Sequence, residues 1–152
     1  MQFSIISFET KYAADFIRIN LEWLDKYELT EPADIFMLQN YQSEILDTGG
    51  AIFLVKAGDA IVGTAALINE GNGLFELAKM AVTVQFQGRG ISKLLMENCL
   101  KKAVELGATK VYLVSNSRLT TAIALYKKYG FTHVPVTNSH YANADVMMEK
   151  VL

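Results

Sequence analysis

Apolar and polar positions alternate in blocks along the chain, and the period of the alternation changes from block to block. Phe3 to Phe8 is a short, mostly apolar run that predicts a first strand. From Lys11 to Leu24 the apolar residues Tyr12, Phe16, Ile19 and Trp23 recur at three- and four-residue intervals, the spacing of one helix face. Pro32 stands early in a second helical stretch that runs through Ile45, with Ile35, Leu38 and Ile45 directed at the core; Gly49-Gly50 ends it. Three alternating, β-branched runs follow at Ile52 to Lys56, Ile61 to Ile68 and Leu74 to Val84. Their connections, Ala57-Gly58-Asp59 and Glu70-Gly71-Asn72-Gly73, are too short for a crossover, so the three strands predict an antiparallel meander.

After Gly90 the period becomes helical. Ile91, Leu94, Leu95, Cys99, Ala103 and Leu106 form one apolar stripe, and Gly107 supplies the stop. Lys110 to Ser115 reads as a strand, Thr120 to Tyr129 as a helix ended by Gly130, and Phe131 to Val136 and Ala144 to Val151 as two closing strands. This order predicts a mixed α/β layer structure with helices flanking one sheet.

Composition narrows the setting more than the reaction. At 152 residues, half of them hydrophobic, the chain predicts one globular domain over 1–152 with a core that needs no metal or disulfide staple. Cys99 is the single cysteine, which suits a reducing cytoplasm. The start MQFSIISFET does not read as a signal peptide, and no apolar run reaches the ~20 residues of a membrane helix. A formal net charge of −2 argues against a nucleic-acid partner, whose footprint would be basic. It leaves room for an anionic small ligand, since backbone amides hold phosphate without a basic surface. His133 and His140 are too isolated to suggest a metal site, since no second ligand stands at helical or loop spacing.

The chemistry concentrates where the strand ending at Val84 gives way to Gln87-Gly88-Arg89-Gly90-Ile91-Ser92 and a helix begins. The first amides of a helix lack internal partners, and its dipole makes that end partly positive. Glycines let a phosphate approach the backbone, and Arg89 adds a charged fork. By itself this is either an anion cradle or an ordinary turn. It is not a dinucleotide fingerprint, which needs a third glycine, nor a P-loop, which needs Gly-Lys-Ser/Thr.

About 35 residues further on stands Leu125-Tyr126-Lys127-Lys128-Tyr129-Gly130-Phe131. Gln-x-x-Gly-x-Gly followed by Leu-Tyr-x-x-x-Gly-Phe resembles the GNAT superfamily of N-acetyltransferases, most specifically from Glu76 to Phe131. A weaker likeness, in Asn20 to Leu24 and Gly49-Gly50, is to an uncharacterised branch with small acceptors. The resemblance implies that Gln87, Gly88, Arg89, Gly90, Ile91 and Ser92 wrap the pyrophosphate of acetyl-CoA. It implies that the backbone of Met80, Ala81 and Val82 pairs with the pantetheine arm, and that the strand Val111 to Ser115 splays away to leave a wedge for the thioester. Tyr126 matches the tyrosine that meets the departing CoA thiolate. Glu76 matches a strand glutamate that serves several members as general base, and alternation puts it on one face with Ala78 and Met80. The asparagine that often stands seven residues before the tyrosine is replaced here by Leu119; Asn116 is the substitute the resemblance offers for holding the pantetheine amide or thioester carbonyl.

Beside each of these roles stands a plainer one: a packed aromatic for Tyr126, a solvated strand residue for Glu76, a loop cap for Asn116. Cys99 reads as a small buried hydrophobe. His140 and Tyr141 are the candidates for touching the acceptor. The implied activity is direct acetyl transfer to a primary amine of a small molecule or peptide, without a metal. The alternative is a non-catalytic acyl-CoA sensor using the same cradle. Exposed edge strands leave a homodimer open.

Overall fold

Strand β1 (Phe3–Ser7) pairs antiparallel with β2 (Ala51–Ala57), which continues into the meander β3 (Ala60–Gly71) and β4 (Leu74–Val82). β5 (Lys110–Ser115) lies parallel to β4, and β7 (Val146–Val151) lies antiparallel between β5 and β6 (Thr132–Val134). The computed structural model describes residues 2–137, 139 and 141–152, and their strands form one seven-stranded sheet in the order β1-β2-β3-β4-β5-β7-β6. The expected mixed architecture is the one observed. No helix of the described residues is long and apolar enough to cross a membrane.

Each face of the sheet carries its own core. Ile91, Leu95, Met96, Cys99 and Ala103 on α3 (Ile91–Glu105) pack on one face, joined by Ile123 and Tyr126 of α4 (Thr120–Lys128). Phe16 and Ile19 of α1 (Ala13–Lys26) and Leu38 of α2 (Pro32–Gln39) pack on the other. Leu94 and Leu106 sit at the edge of the α3 stripe and remain exposed. The expected strand Leu74 to Val84 stops at Val82, and Val84–Phe86 forms a 3₁₀ turn.

The second helical stretch departs from expectation. α2 ends at Gln39: Asn40 leaves the helical conformation at φ −109°, ψ 31°, while its backbone and side-chain amides both donate to the Phe36 carbonyl, at 2.9 and 2.8 Å. A π-helical segment, Gln42–Leu46, follows, with the Asp47 amide donating to the Gln42 carbonyl at 2.7 Å. Leu38 and Ile45 are core residues as expected, but Ile35 is exposed, because the inward face of so short a helix is defined by Asp34 and Leu38, one turn apart.

Two features of the sheet shape the functional region. β4 and β5 are paired only from Leu74–Lys110 to Glu76–Tyr112, so the rest of β4 presents an edge that β5 does not cover. Against β3, β4 carries one extra residue between Ala78 and Ala81. Lys79 occupies it in the left-handed conformation, φ +54°, and its carbonyl accepts a hydrogen bond from Thr64 Oγ1 at 2.8 Å. Asn20 in turn donates to Thr64 Oγ1 at 3.0 Å, which braces the bulge from α1.

Candidate active site

Two hollows meet where β4 and β5 part. The larger, about 570 Å³, runs from the turn before α3 to the start of α4; Met80, Ala81 and Val82 form one wall and Thr120, Thr121 and Ala122 another. The smaller, about 130 Å³, lies over the sheet face that carries α1 and α2, and Glu76, Lys79 and Tyr141 line it. Tyr126 and Met80 border both.

The turn at the mouth of the groove has the geometry of an anion cradle. Gly88 and Gly90 adopt φ +77° and +82°, which only glycine takes without strain, and a Cβ added at either would project into open space. Gly90 is the N-cap of α3, and no side chain caps the helix, so its first amides remain available. Gln87 Nε2 donates to the Val82 carbonyl at 3.2 Å, fixing the turn on the end of β4. Gly88, Gly90 and Ser92 line the groove. Arg89 folds over the Phe86 ring, 4.9 Å from its centroid, and Ile91 is a buried core residue whose backbone alone faces the turn.

Glu76 is buried at the last position where β4 and β5 are paired, and Tyr112 donates to its Oε1 at 3.4 Å. Burial, with Glu70 nearby, pushes its carboxyl up from the ordinary 4.5 to about 7, against the opposing pull of Lys79 and of the Tyr112 bond. Tyr126 packs edge-on to Phe131 at 6.2 Å, and burial pushes its phenol up to about 12. Burial likewise lifts the Cys99 thiol to about 12, which suits an inert core residue.

The bulge corrects one expectation. Ala78 packs with the α1–α2 core as Glu76's face requires, but Met80 packs with the α3 core, because the extra residue at Lys79 reverses the alternation. Lys79 therefore takes Glu76's face in the smaller hollow, and Met80 stays at the border of the two hollows. Asn116 also lines that hollow, with its Nδ2 donating to the Asn143 carbonyl at 2.7 Å and its Oδ1 accepting from the Arg118 amide at 2.9 Å. These bonds tie the loop after β5 to the loop before β7. Tyr141 lines the hollow, and His140 lies outside the described residues.

A family model described as the acetyltransferase (GNAT) family matches residues 15–131. The chain belongs to the GNAT family. It is 28% identical over 105 residues to the uncharacterised N-acetyltransferase YjgM of Escherichia coli (strain K12), a stretch that covers 69% of this chain and 55% of that relative. The chain thus spans about half the length of that relative. In fold it resembles a GNAT-family acetyltransferase from Staphylococcus aureus Mu50, with a TM-score of 0.89, 22% identity and 99% of each chain covered. It also resembles the PaiA N-acetyltransferase of Thermoplasma acidophilum, solved in complex with coenzyme A, with a TM-score of 0.80, 16% identity and 100% of each chain covered.

Several residues of this GNAT chain's site escape a reading of periodicity. Lys79 and Asp34 form an ion pair at 3.0 Å with both side chains over nine-tenths buried. A lysine inside the apolar run Leu77 to Val82 is the one hint of it. Tyr112, Thr64 and Asn20 became visible only through strand register and helix docking. Trp23 and Tyr27, packed at 5.1 Å on α1 and the residue after it, line the larger groove from a segment that carries none of the motifs.

Proposed function

We propose that this GNAT chain transfers the acetyl group of acetyl-CoA directly to a primary amine of a small molecule or peptide, with both reactants bound at once. The observation that carries the proposal is the junction of the two hollows. A groove with an uncapped helix terminus and an uncovered strand edge suits an extended phosphate-bearing cofactor. A second, smaller hollow containing a carboxyl near neutrality suits an amine, and Tyr126 stands between the two. The CoA complex of the Thermoplasma acidophilum relative supports the choice of cofactor.

In this reading the amides at Gly88 to Ser92 and the edge of β4 bind and orient the cofactor, which supplies an activated acyl thioester. Glu76 takes a proton from the acceptor's ammonium; a carboxyl at about 7 is well matched to that task near neutral pH. The amine nitrogen bonds to the acetyl carbon, the carbon–sulfur bond breaks, and the sulfur leaves with the bonding pair. Of the two protons the ammonium gives up, one ends on sulfur and one passes to solvent. Tyr126, at about 12, is a much weaker acid than a thiol at ~8.5, so it acts by hydrogen-bonding the sulfur as charge develops, not by surrendering its proton outright. Holding two reactants in one cleft provides much of the acceleration.

Initial-rate kinetics over both substrates test the direct route. Intersecting double-reciprocal lines, with no acetylated protein in the mass spectrum, are expected. Parallel lines with a stable acetyl adduct would overturn it, and amine-independent CoA retention with no turnover would favour the sensor instead.

A further inference from the structure

The smaller hollow contains four charged side chains, and they are not equally free to meet a ligand. Glu31 spends both carboxylate oxygens on backbone amides of the loop that closes the hollow, accepting from Ala142 at 2.8 Å and Asn143 at 2.9 Å. Asp34 spends its two on the Glu31 amide at 2.9 Å and on Lys79 Nζ at 3.0 Å. Two acidic groups are thus absorbed by the scaffold. Glu76 and Lys79 remain, both on the lining.

Lys79 is a buried ammonium with three N–H donors. Among the described residues it has two acceptors, Asp34 Oδ1 and the Tyr141 hydroxyl at 3.2 Å. Burial works against its charge, but the Tyr141 and Asp34 oxygens outweigh burial and hold it above the ordinary lysine value, so it stays protonated. Tyr141 accepts from Lys79 with its oxygen, which leaves the hydroxyl proton for another acceptor; the ring also lies 5.0 Å below the ammonium. Two donors, one of them charged, therefore stand about 3 Å apart on the lining of a cavity that the proton acceptor Glu76 also lines. A carboxylate, with two adjacent acceptor oxygens, can accept from both donors at once. The bulge makes this possible, since a regular strand would have turned Lys79 to the opposite face from Glu76.

We infer that the acceptor is an amine that also carries a carboxylate, with Lys79 and Tyr141 holding the carboxylate while Glu76 faces the amine. The inference rests on the acetyl-transfer reading and narrows its acceptor. The small volume of the hollow, about 130 Å³, favours a compact amino acid over a long chain. Lys79 and Tyr141 act on specificity, through KM, and take no part in the transfer itself.

Matched acceptor series test it. Leucine, leucinamide and isoamylamine, and phenylalanine, phenylalaninamide and phenethylamine, are compared for CoA release from acetyl-CoA. The free amino acid is expected to exceed its amide and its decarboxylated amine by at least tenfold in kcat/KM. That ratio is expected to collapse in Tyr141→Phe, which keeps the ion pair, and in Lys79→Met, mainly through KM for the amino acid. The ratio is internal to each variant, so partial loss of folded protein does not imitate the effect. Equal or better use of the decarboxylated amines, or a ratio that survives both substitutions, overturns the inference. Turnover of no amino acid by a protein whose melting temperature still rises with CoA also overturns it and leaves the cofactor site standing. Failure to bind CoA at all would instead remove the transfer reading on which it rests.

Discussion

Tyr112 donates its hydroxyl to Glu76 Oε1 at 3.4 Å, at the last register position that β4 and β5 share. Beyond this pair the strands separate, so the Glu76 carboxyl stands at the apex of the wedge. Burial and the nearby acidic groups push the Tyr112 phenol up, so it remains a donor across the working range of pH.

The apex position gives Glu76 a pH signature. Its carboxyl is raised to about 7, so kcat/KM is expected to climb as pH rises through about 7 and to level off above it. Glu76→Gln is expected to lose that limb together with at least about tenfold in rate. A variant that retains the limb would exclude Glu76 as the base.

The same shift predicts stability in the opposite direction. Between pH 4.5 and about 7 the folded chain keeps a proton on Glu76 that the unfolded chain releases, so stability falls as pH rises through this window. The loss approaches about 3 kcal/mol above pH 7. Glu76→Gln, which cannot ionise, is expected to be the more stable protein at pH 8, and urea unfolding at pH 5 and pH 8 measures the difference. Equal pH slopes for the two proteins would contradict the buried, protonated carboxyl.

Much of this site can be read from the sequence, and the unread part has a physical cause. Gly88 and Gly90 announce their own left-handed conformation, and the apolar stripe from Ile91 onward marks where the helix starts. The bulge is silent because a lysine, not a glycine, takes φ +54° at position 79. Strict alternation then puts Met80 on Glu76's face, where the structure has Lys79. The helical stretch expected through Ile45 is present, but it breaks at Asn40 and resumes as a π-helical segment, a change of pitch that periodicity does not register. Residues that meet only through register and docking, such as Glu76 with Tyr112 or Asn20 with Thr64, leave no local trace.

The Lys79–Asp34 pair is expected to be costly to break and cheap to remove whole. Lys79→Met alone leaves a buried carboxylate without its cation and is expected to cost about 3–5 kcal/mol. The double change Lys79→Met with Asp34→Asn is expected to recover a substantial part of that loss. A double-mutant cycle by urea unfolding gives the coupling directly, and additive effects would mean that the pair is not formed.

Tyr126 borders both hollows, and its role is separable from binding. Tyr126→Phe is expected to preserve the stabilisation by CoA while lowering kcat by about tenfold or more, as loss of one hydrogen bond to a developing charge allows. Calorimetric CoA affinity alongside turnover separates the two effects. Undiminished turnover would return Tyr126 to packing alone.

The most direct test of the central claim is thermal unfolding with and without acetyl-CoA, with free CoA and NAD as comparisons. Ligand at 100 times its dissociation constant adds roughly 2.7 kcal/mol, which is several degrees for a chain of this size. Acetyl-CoA and CoA are expected to raise the melting temperature, NAD is not, and the rise is expected to vanish in Gly88→Glu, which puts a carboxylate in the cradle. No shift at millimolar acetyl-CoA would contradict the cofactor site and, with it, the transferase.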